Sequence, residues 1–259
     1  MNSVKKLGSL ALPVFVFFAY FFMYIPIIVL VMFSFNSGNT NFWEGFSLQW
    51  YHELFKSVEI IESLKNSLIV AFSAVALSLV MGLFFVFYGS KKFVERGLFF
   101  FYGSLAAPEI VLAVGLISFF SFFSVPLGLT TLIAVHTVVG MSYMTPMLYS
   151  GYKSIDKNLS EASFDLGATR GQTFIKVILP ILYPAIMTSS LLVFIVSLDD
   201  FILSFFCAGA STVTLPMYIF SVIRSGATPV VNALSTLLLL ATSFIVLIFV
   251  SLRARTKLF

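Results

Sequence analysis

Three carboxylates stand where the chain is otherwise apolar: Glu109 in LAAPEIVLAVG, and Asp199 and Asp200 side by side in SLDDFILSFF. An acid in such a run costs about 2.5–3.5 kcal/mol on membrane-insertion scales unless it faces a bundle interior or an aqueous cavity. The chemistry open to fixed negative charges at that depth is to bind and pass cations. No Lys or Arg lies within the same runs to neutralise them, so the missing countercharge is expected to be a transported solute. Consecutive helical residues diverge by about 100°, so Asp199 and Asp200 cannot both point into one path. One is expected to line it and the other to bond a neighbouring helix. The plainer alternative for this pair is that it reaches the outer membrane surface, solvated or paired with Arg224.

The elements that must position these acids are membrane spans. Hydrophobic residues make up 59% of the 259-residue chain and charged residues 10%, with a mean hydropathy of +1.05. A soluble domain of this length has no core large enough to hide so much apolar surface. Crossing a hydrocarbon core takes about 20 apolar residues in helical form, because backbone groups in lipid must be satisfied within the segment. Six spans are expected, at residues 10–33, 66–88, 97–123, 126–149, 183–206 and 231–252. The fold class is therefore an all-α integral membrane protein, with residues 1–259 forming one transmembrane domain. Counting from the inner end of each span places Asp199 and Asp200 roughly 24 Å up and Glu109 roughly 18 Å up, close to the midplane. Pro108 loosens the helix beside Glu109.

Orientation follows from the 15 basic residues. Lys5, Lys6, Lys91, Lys92, Arg96, Lys153, Lys157, Arg170, Lys176, Arg253, Arg255 and Lys257 fall on one set of alternate flanks, and Lys56, Lys65 and Arg224 on the other. Cytoplasmic loops collect Lys and Arg, so both termini are expected in the cytoplasm. The same distribution accounts for the net charge of +4 without a basic stripe for nucleic acid. The first apolar run is longer than a signal-peptide core and lacks a cleavage pattern, so it is read as an uncleaved helix. Cys207 is alone, and His52 and His136 form no ligand pattern, so neither a disulfide nor a metal site within the chain is expected. No G-x-x-x-x-G-K-[ST] motif occurs, so ATP phosphates have no cradle here.

The main outer loop, between the first two spans, carries Glu44, Glu53, Glu59 and Glu62 among Trp43, Trp50 and Tyr51. These aromatics are read first as an interfacial belt and second as a docking surface. VPLGL at 125–129 is read as a tight outer turn. Residues 211–228 are read as a plain connection or as part of an outer gate.

Between the fourth and fifth spans lies SGYKSIDKNLSEASFDLGATRGQTFIKVILPILYP, far longer than a simple turn requires. Ser160 is placed to cap a short helix from Glu161, Gly167 to end it, and a second helix from about Thr173 to stop near Pro180. Here the chain resembles the membrane permeases of type I ABC importers (the MetI-like fold), whose cytoplasmic coupling loop carries Glu-Ala-Ala, then Gly, then Leu-Pro. The matching positions are Glu161, Ala162, Ser163, Gly167, Leu179 and Pro180, with Ser163 standing for the third-position Ala. The resemblance implies that the loop, about 150–182, docks on a separate ATPase through Glu161, Ala162, Leu166 and Gly167.

SLQWYHELF, PEIVLAVGL, LDDFILSFFCAG and TLPMYIFSVIRSGATPVVNALSTLLL resemble the polyamine (spermidine/putrescine) branch of these permeases, and its second permease subunit in particular. That likeness implies a bacterial inner-membrane complex with a homologous sister permease, two ATPase subunits binding ATP and Mg, and an extracytoplasmic polyamine-binding protein. The chain itself would hold no cofactor and catalyse no covalent step. Three alternatives stand beside it: an ABC permease for another solute, an ion-coupled secondary transporter in which Glu109, Asp199 and Asp200 relay protons or bind sodium, and a structural or receptor membrane protein with no transported solute, which would leave the buried charges unexplained.

Overall fold

The computed structural model describes residues 2–39, 42–210, 212–226 and 229–256. Lys257 lies outside the described residues, as do the side chains of Lys5, Lys6, Arg253 and Arg255. The chain packs as two compact units, Met1–Val58 with Ser221–Phe259, and Glu59–Phe220.

In the first unit, α1 (Asn2–Phe33) touches α12 (Pro229–Thr256) but is exposed along residues 12–29, and α2 (Gln49–Lys56) packs on α12. Both long helices are apolar enough to span, over Leu12–Phe33 and Pro229–Ser251. Phe15, Phe17 and Phe22 on α1 are exposed, as a lipid-facing surface requires. Between α1 and α2 the chain doubles back through an antiparallel bridge from Asn36 to Phe46. Buried Asn36 organises the turn: its Nδ2 donates to the Phe42 carbonyl at 2.8 Å, its Oδ1 accepts from Glu44 N–H at 2.8 Å, and its carbonyl accepts from Trp50 Nε1 at 2.6 Å. Tyr51 shares a 2.7 Å hydrogen bond with Ser34. Trp50 and Tyr51 therefore tie the loop together, while Trp43 stays exposed.

The second unit holds α3 (Val58–Tyr88), α4 (Lys91–Ala106), α5 (Glu109–Phe122), α6 (Leu129–Lys153), α7 (Lys157–Asp165), α8 (Arg170–Thr173), a π turn (Phe174–Ile178), α9 (Leu179–Asp199), α10 (Ile202–Cys207) and the start of α11 (Leu215–Ser225). Small residues let its backbones approach, the usual means of helix association where lipid removes the hydrophobic drive. Ser67, Ala71, Ala74, Ser78 and Gly82 form a buried stripe on α3, and Ser78 Oγ donates to the Thr137 carbonyl of α6 at 3.0 Å. A Cβ at Gly140 would lie 2.5 Å from Ser78 Oγ and 2.9 Å from Val193 Cγ1. Gly140→Val is accordingly expected to destabilise the unit by about 1–3 kcal/mol, as overpacking does. Thermal unfolding of the solubilised chain checks this, with Gly140→Ala as the milder member of the pair.

Val86, Met144, Leu148, Leu182 and Val193 pack α3, α6 and α9 together, and Val70, Ala113, Leu132, Val135, Leu203 and Cys207 pack α3, α5, α6 and α10. The turn at 125–129 is held by Thr131, whose Oγ1 donates to the Cys207 carbonyl at 2.9 Å and accepts from Gly128 N–H at 2.8 Å. Gly209 closes against it at φ +69°, where a Cβ would sit 2.4 Å from the Leu127 carbonyl oxygen.

Two expected spans are not continuous helices. The run 97–123 is broken, with α4 and α5 meeting at 112°. Pro108 supplies no N–H and drives Ala107 into extended backbone (φ −74°, ψ 142°), which a helix cannot pass through. The run 183–206 is broken at Asp200, also extended (φ −68°, ψ 121°). Among the described residues five helices are long and apolar enough to cross a membrane, and a sixth crossing exists if α4 and α5 count as one.

Candidate functional site

Both breaks fall at the carboxylates. Glu109 is the first residue of α5, after the Ala107–Pro108 bend. Asp199 is the last residue of α9, and Asp200 stands between α9 and α10. Because α5 packs along α10, the two breaks meet. The Glu109 carboxyl comes within hydrogen-bonding reach of the Asp200 carboxyl. Two carboxyl groups so placed repel unless a proton or a cation lies between them. Discontinuous helices meeting inside a span are also the means by which transport proteins present polar groups to a solute.

The three acids differ in access. Glu109 and Asp199 are exposed, whereas Asp200 is buried. The Asp200 carboxylate, one residue ahead of the N-cap Phe201, receives the first turn of α10: its Oδ2 accepts from Ser204 N–H at 2.9 Å and Ser204 Oγ–H at 3.1 Å, and its Oδ1 from Leu203 N–H at 3.4 Å. From α6, His136 approaches with Nε2 3.5 Å from Asp200 Oδ2. The sequence reading has one acid lining a path and the other bonding a neighbouring helix; the structure gives a division between exposed Asp199 and Asp200 bonded to α10 and to His136 of α6. Its cause is different, since the two residues straddle a helix end and do not share a helix.

Sequence reasoning missed His136, Ser197 and Ser204, which surround Asp200. The imidazole is 2.8 Å from Ser197 Oγ and 3.2 Å from Ser204 Oγ. A signal existed, because His136 is an ionisable residue inside an expected span. Among the described residues no group of three or more His, Cys, Asp and Glu side chains is arranged to hold a metal ion.

The loop at 150–182 does form helix, turn, helix, with different ends from those expected. Asp156, and not Ser160, caps α7, its Oδ1 accepting from Asn158 N–H at 3.0 Å. Starting there makes a helix of nine residues, and a longer run gains hydrogen bonds against the same nucleation cost. Gly167 ends α7 at φ +84°. Ala168 N–H reaches the Ser163 carbonyl at 3.1 Å and Gly167 N–H the Phe164 carbonyl at 2.8 Å, which satisfies the last turn.

The second helix does not stop at Pro180. A Thr169–Gln172 capping box opens α8, and α8, the π turn and α9 make one apolar helix over Arg170–Asp199. The π register removes the conflict: Leu179 N–H bonds back five residues to Phe174 O, so the widened turn, ahead of Pro180, absorbs the missing N–H.

Ser163, the departure from Glu-Ala-Ala, is buried and shares a 2.9 Å hydrogen bond with buried Thr173, which locks α7 to α8. Phe174 packs on Phe87 of α3 with ring centroids 4.5 Å apart. Glu161, Ala162 and Gly167 face outward, and Leu166 at the tip is 89% exposed. The result is an apolar tip on a short helix, fixed to a rigid helix whose far end is Asp199.

Comparison with known proteins finds that residues 74–256 match the family model described as binding-protein-dependent transport system inner membrane component. The spermidine/putrescine transport system permease protein PotC of Haemophilus influenzae is 35% identical over 241 residues, covering 90% of this chain and 93% of its own. The putrescine transport system permease protein PotI of Escherichia coli K12 is 30% identical over 272 residues, covering 99% and 95%. Among solved structures, a chain of a bacterial ABC transporter that imports the acidic polysaccharide alginate superimposes with a TM-score of 0.73 over 96% of this chain and 95% of that one, at 17% identity.

Proposed function

We propose, starting from the premise that this chain belongs to the family of inner membrane components of binding-protein-dependent transport systems, that it is a permease subunit of an ATP-driven polyamine importer. The whole chain acts as one transmembrane domain with both termini in the cytoplasm, and it forms half of a translocation pore opposite a homologous sister permease. Two ATPase subunits hold the ATP and Mg and hydrolyse the nucleotide. An extracytoplasmic binding protein delivers spermidine or putrescine.

The observation that carries the substrate reading is the meeting of the α4–α5 bend, at Glu109, with the end of the apolar helix Arg170–Asp199, at Asp199 and Asp200. A polyamine carries ammonium groups separated by short methylene chains, so acids set apart along a path engage it one group at a time. Glu109 and Asp199 offer open carboxylates, and Asp200 adds charge behind Glu109. Each ammonium–carboxylate contact replaces the hydration that the solute leaves behind. The coupling reading rests on Leu166 and its neighbours Glu161, Ala162 and Gly167, which form a surface shaped for a groove on the ATPase.

Uptake of labelled spermidine and putrescine into vesicles containing the full complex tests the proposal. Uptake should require ATP and survive collapse of the proton gradient while ATP is maintained. Dependence on the gradient alone would instead identify a secondary transporter. An active complex that takes up neither polyamine would leave the permease standing with another solute.

A further inference from the structure

We infer that His136 is a positioning residue that staples the break between α9 and α10 and so fixes Asp200, a role that rests on the cation-path reading above. The imidazole, 3% exposed, projects from α6 and touches both sides of the break. Nδ1 lies 2.8 Å from Ser197 Oγ in the last turn of α9, and Nε2 lies 3.2 Å from Ser204 Oγ in α10 and 3.5 Å from Asp200 Oδ2. Asp200 and Phe201 interrupt the helix here, and Phe201 opens α10 by giving its carbonyl to Phe205 N–H at 2.8 Å.

Of the two neutral tautomers, the partners select one. Ser204 has one hydroxyl hydrogen and gives it to Asp200 Oδ2 at 3.1 Å, so its oxygen accepts from Nε2–H. Nδ1, then bare, accepts from the Ser197 hydroxyl. The neutral Nε2–H tautomer satisfies every partner, and Oδ2 is held by Ser204 and the flank of Nε2–H. Oδ1 accepts a 3.4 Å bond from Leu203 N–H, and the Glu109 carboxyl reaches the same carboxylate from α5.

Cargo does not reach the imidazole. The cavity beside His136, Ser197 and Asp200 is walled by Val139, Val193 and Leu203 and has a volume of about 10 Å³, room for at most one water. His136 therefore acts through Asp200 and not on the solute.

The test uses the complete complex in proteoliposomes with labelled spermidine and putrescine. His136→Phe keeps the ring and removes both hydrogen bonds. It should lower maximal uptake about tenfold, the effect of leaving buried partners unpaired, while ATPase recovery and the half-saturating concentration stay within about twofold. His136→Gln, whose amide offers an acceptor and a donor, should return uptake to within about threefold of wild type. Wild-type uptake by His136→Phe, or equal impairment in His136→Gln, overturns the assignment.

Nitrogen-15 imidazole spectra of this chain within the complex, with His52→Gln removing the other histidine, decide the matter if His136→Phe fails to assemble. They should show a protonated Nε2, a bare Nδ1, and an Nε2 resonance that moves in Asp200→Asn. A protonated Nδ1, or a spectrum indifferent to Asp200→Asn, overturns the staple. If the wild-type complex carries no polyamine, the cation-path reading fails, and the spectra still judge the staple by itself.

Discussion

Polyamine uptake by a complex carrying Glu109→Gln together with Asp199→Asn is expected to fall by about 100-fold or more, with ATPase association unchanged. Both side chains are exposed, and both replacements keep shape while removing charge, so folding has little to lose. A hydrogen bond to a charged group contributes roughly 1.5–3 kcal/mol, and each acid replaced costs the passing ammonium one such contact. Uptake assays on proteoliposomes, scored beside ATPase recovery on pull-down, measure the effect. Asp200→Asn belongs in the same series for a different reason: an Asn side-chain oxygen still accepts from Ser204 N–H. A fall in uptake there reports lost charge and not a lost break. Full uptake by the double variant would remove the carboxylates from the path.

The second large effect is at the loop tip. Leu166→Asp should reduce the ATPase recovered on pull-down more than tenfold, and Glu161→Lys should act in the same direction. Leu166 is 89% exposed, so nothing in this chain depends on its side chain for packing. Fully burying a Leu contributes about 1.5–3 kcal/mol, and a carboxylate in the same groove would need a partner to offset its desolvation. The free chain should therefore fold as before and fail only in assembly. Undiminished ATPase recovery by either folded variant would count against the docking surface. Ser163→Ala is the informative neighbour, because it loosens the Ser163–Thr173 lock while leaving the tip intact.

The comparison between sequence and structure turns on what hydropathy can register. Apolar length locates the runs and charge flanks them, so membrane spans and the intervening loop were legible. Glu109, Asp199 and Asp200 stood out because acids are costly there. The places where helices stop inside those runs were not legible from the same signal, which is blind to backbone direction. They are written in local chemistry: Ala107 held extended ahead of Pro108, and Asp200 as an N–H acceptor just before an apolar stretch. The bonds of His136 to residues 61 and 68 positions away lie beyond any local pattern, because only the packing of α6 on α9 and α10 brings them together. Within the loop, Asp156 and Ser160 are both capping residue types, and the choice between them depended on how much helix each would nucleate.

The π turn at Phe174–Ile178 has a consequence for azimuth. Such a turn holds one residue more than an α turn does, and one residue corresponds to about 100° of rotation. The face that α9 shows at Asp199 is therefore offset from the one its cytoplasmic end would dictate if the helix ran uninterrupted. The bearing of the acid relative to the Leu166 tip is keyed by that extra residue, not by the length of the helix. The two ends of one rod are thus phased separately.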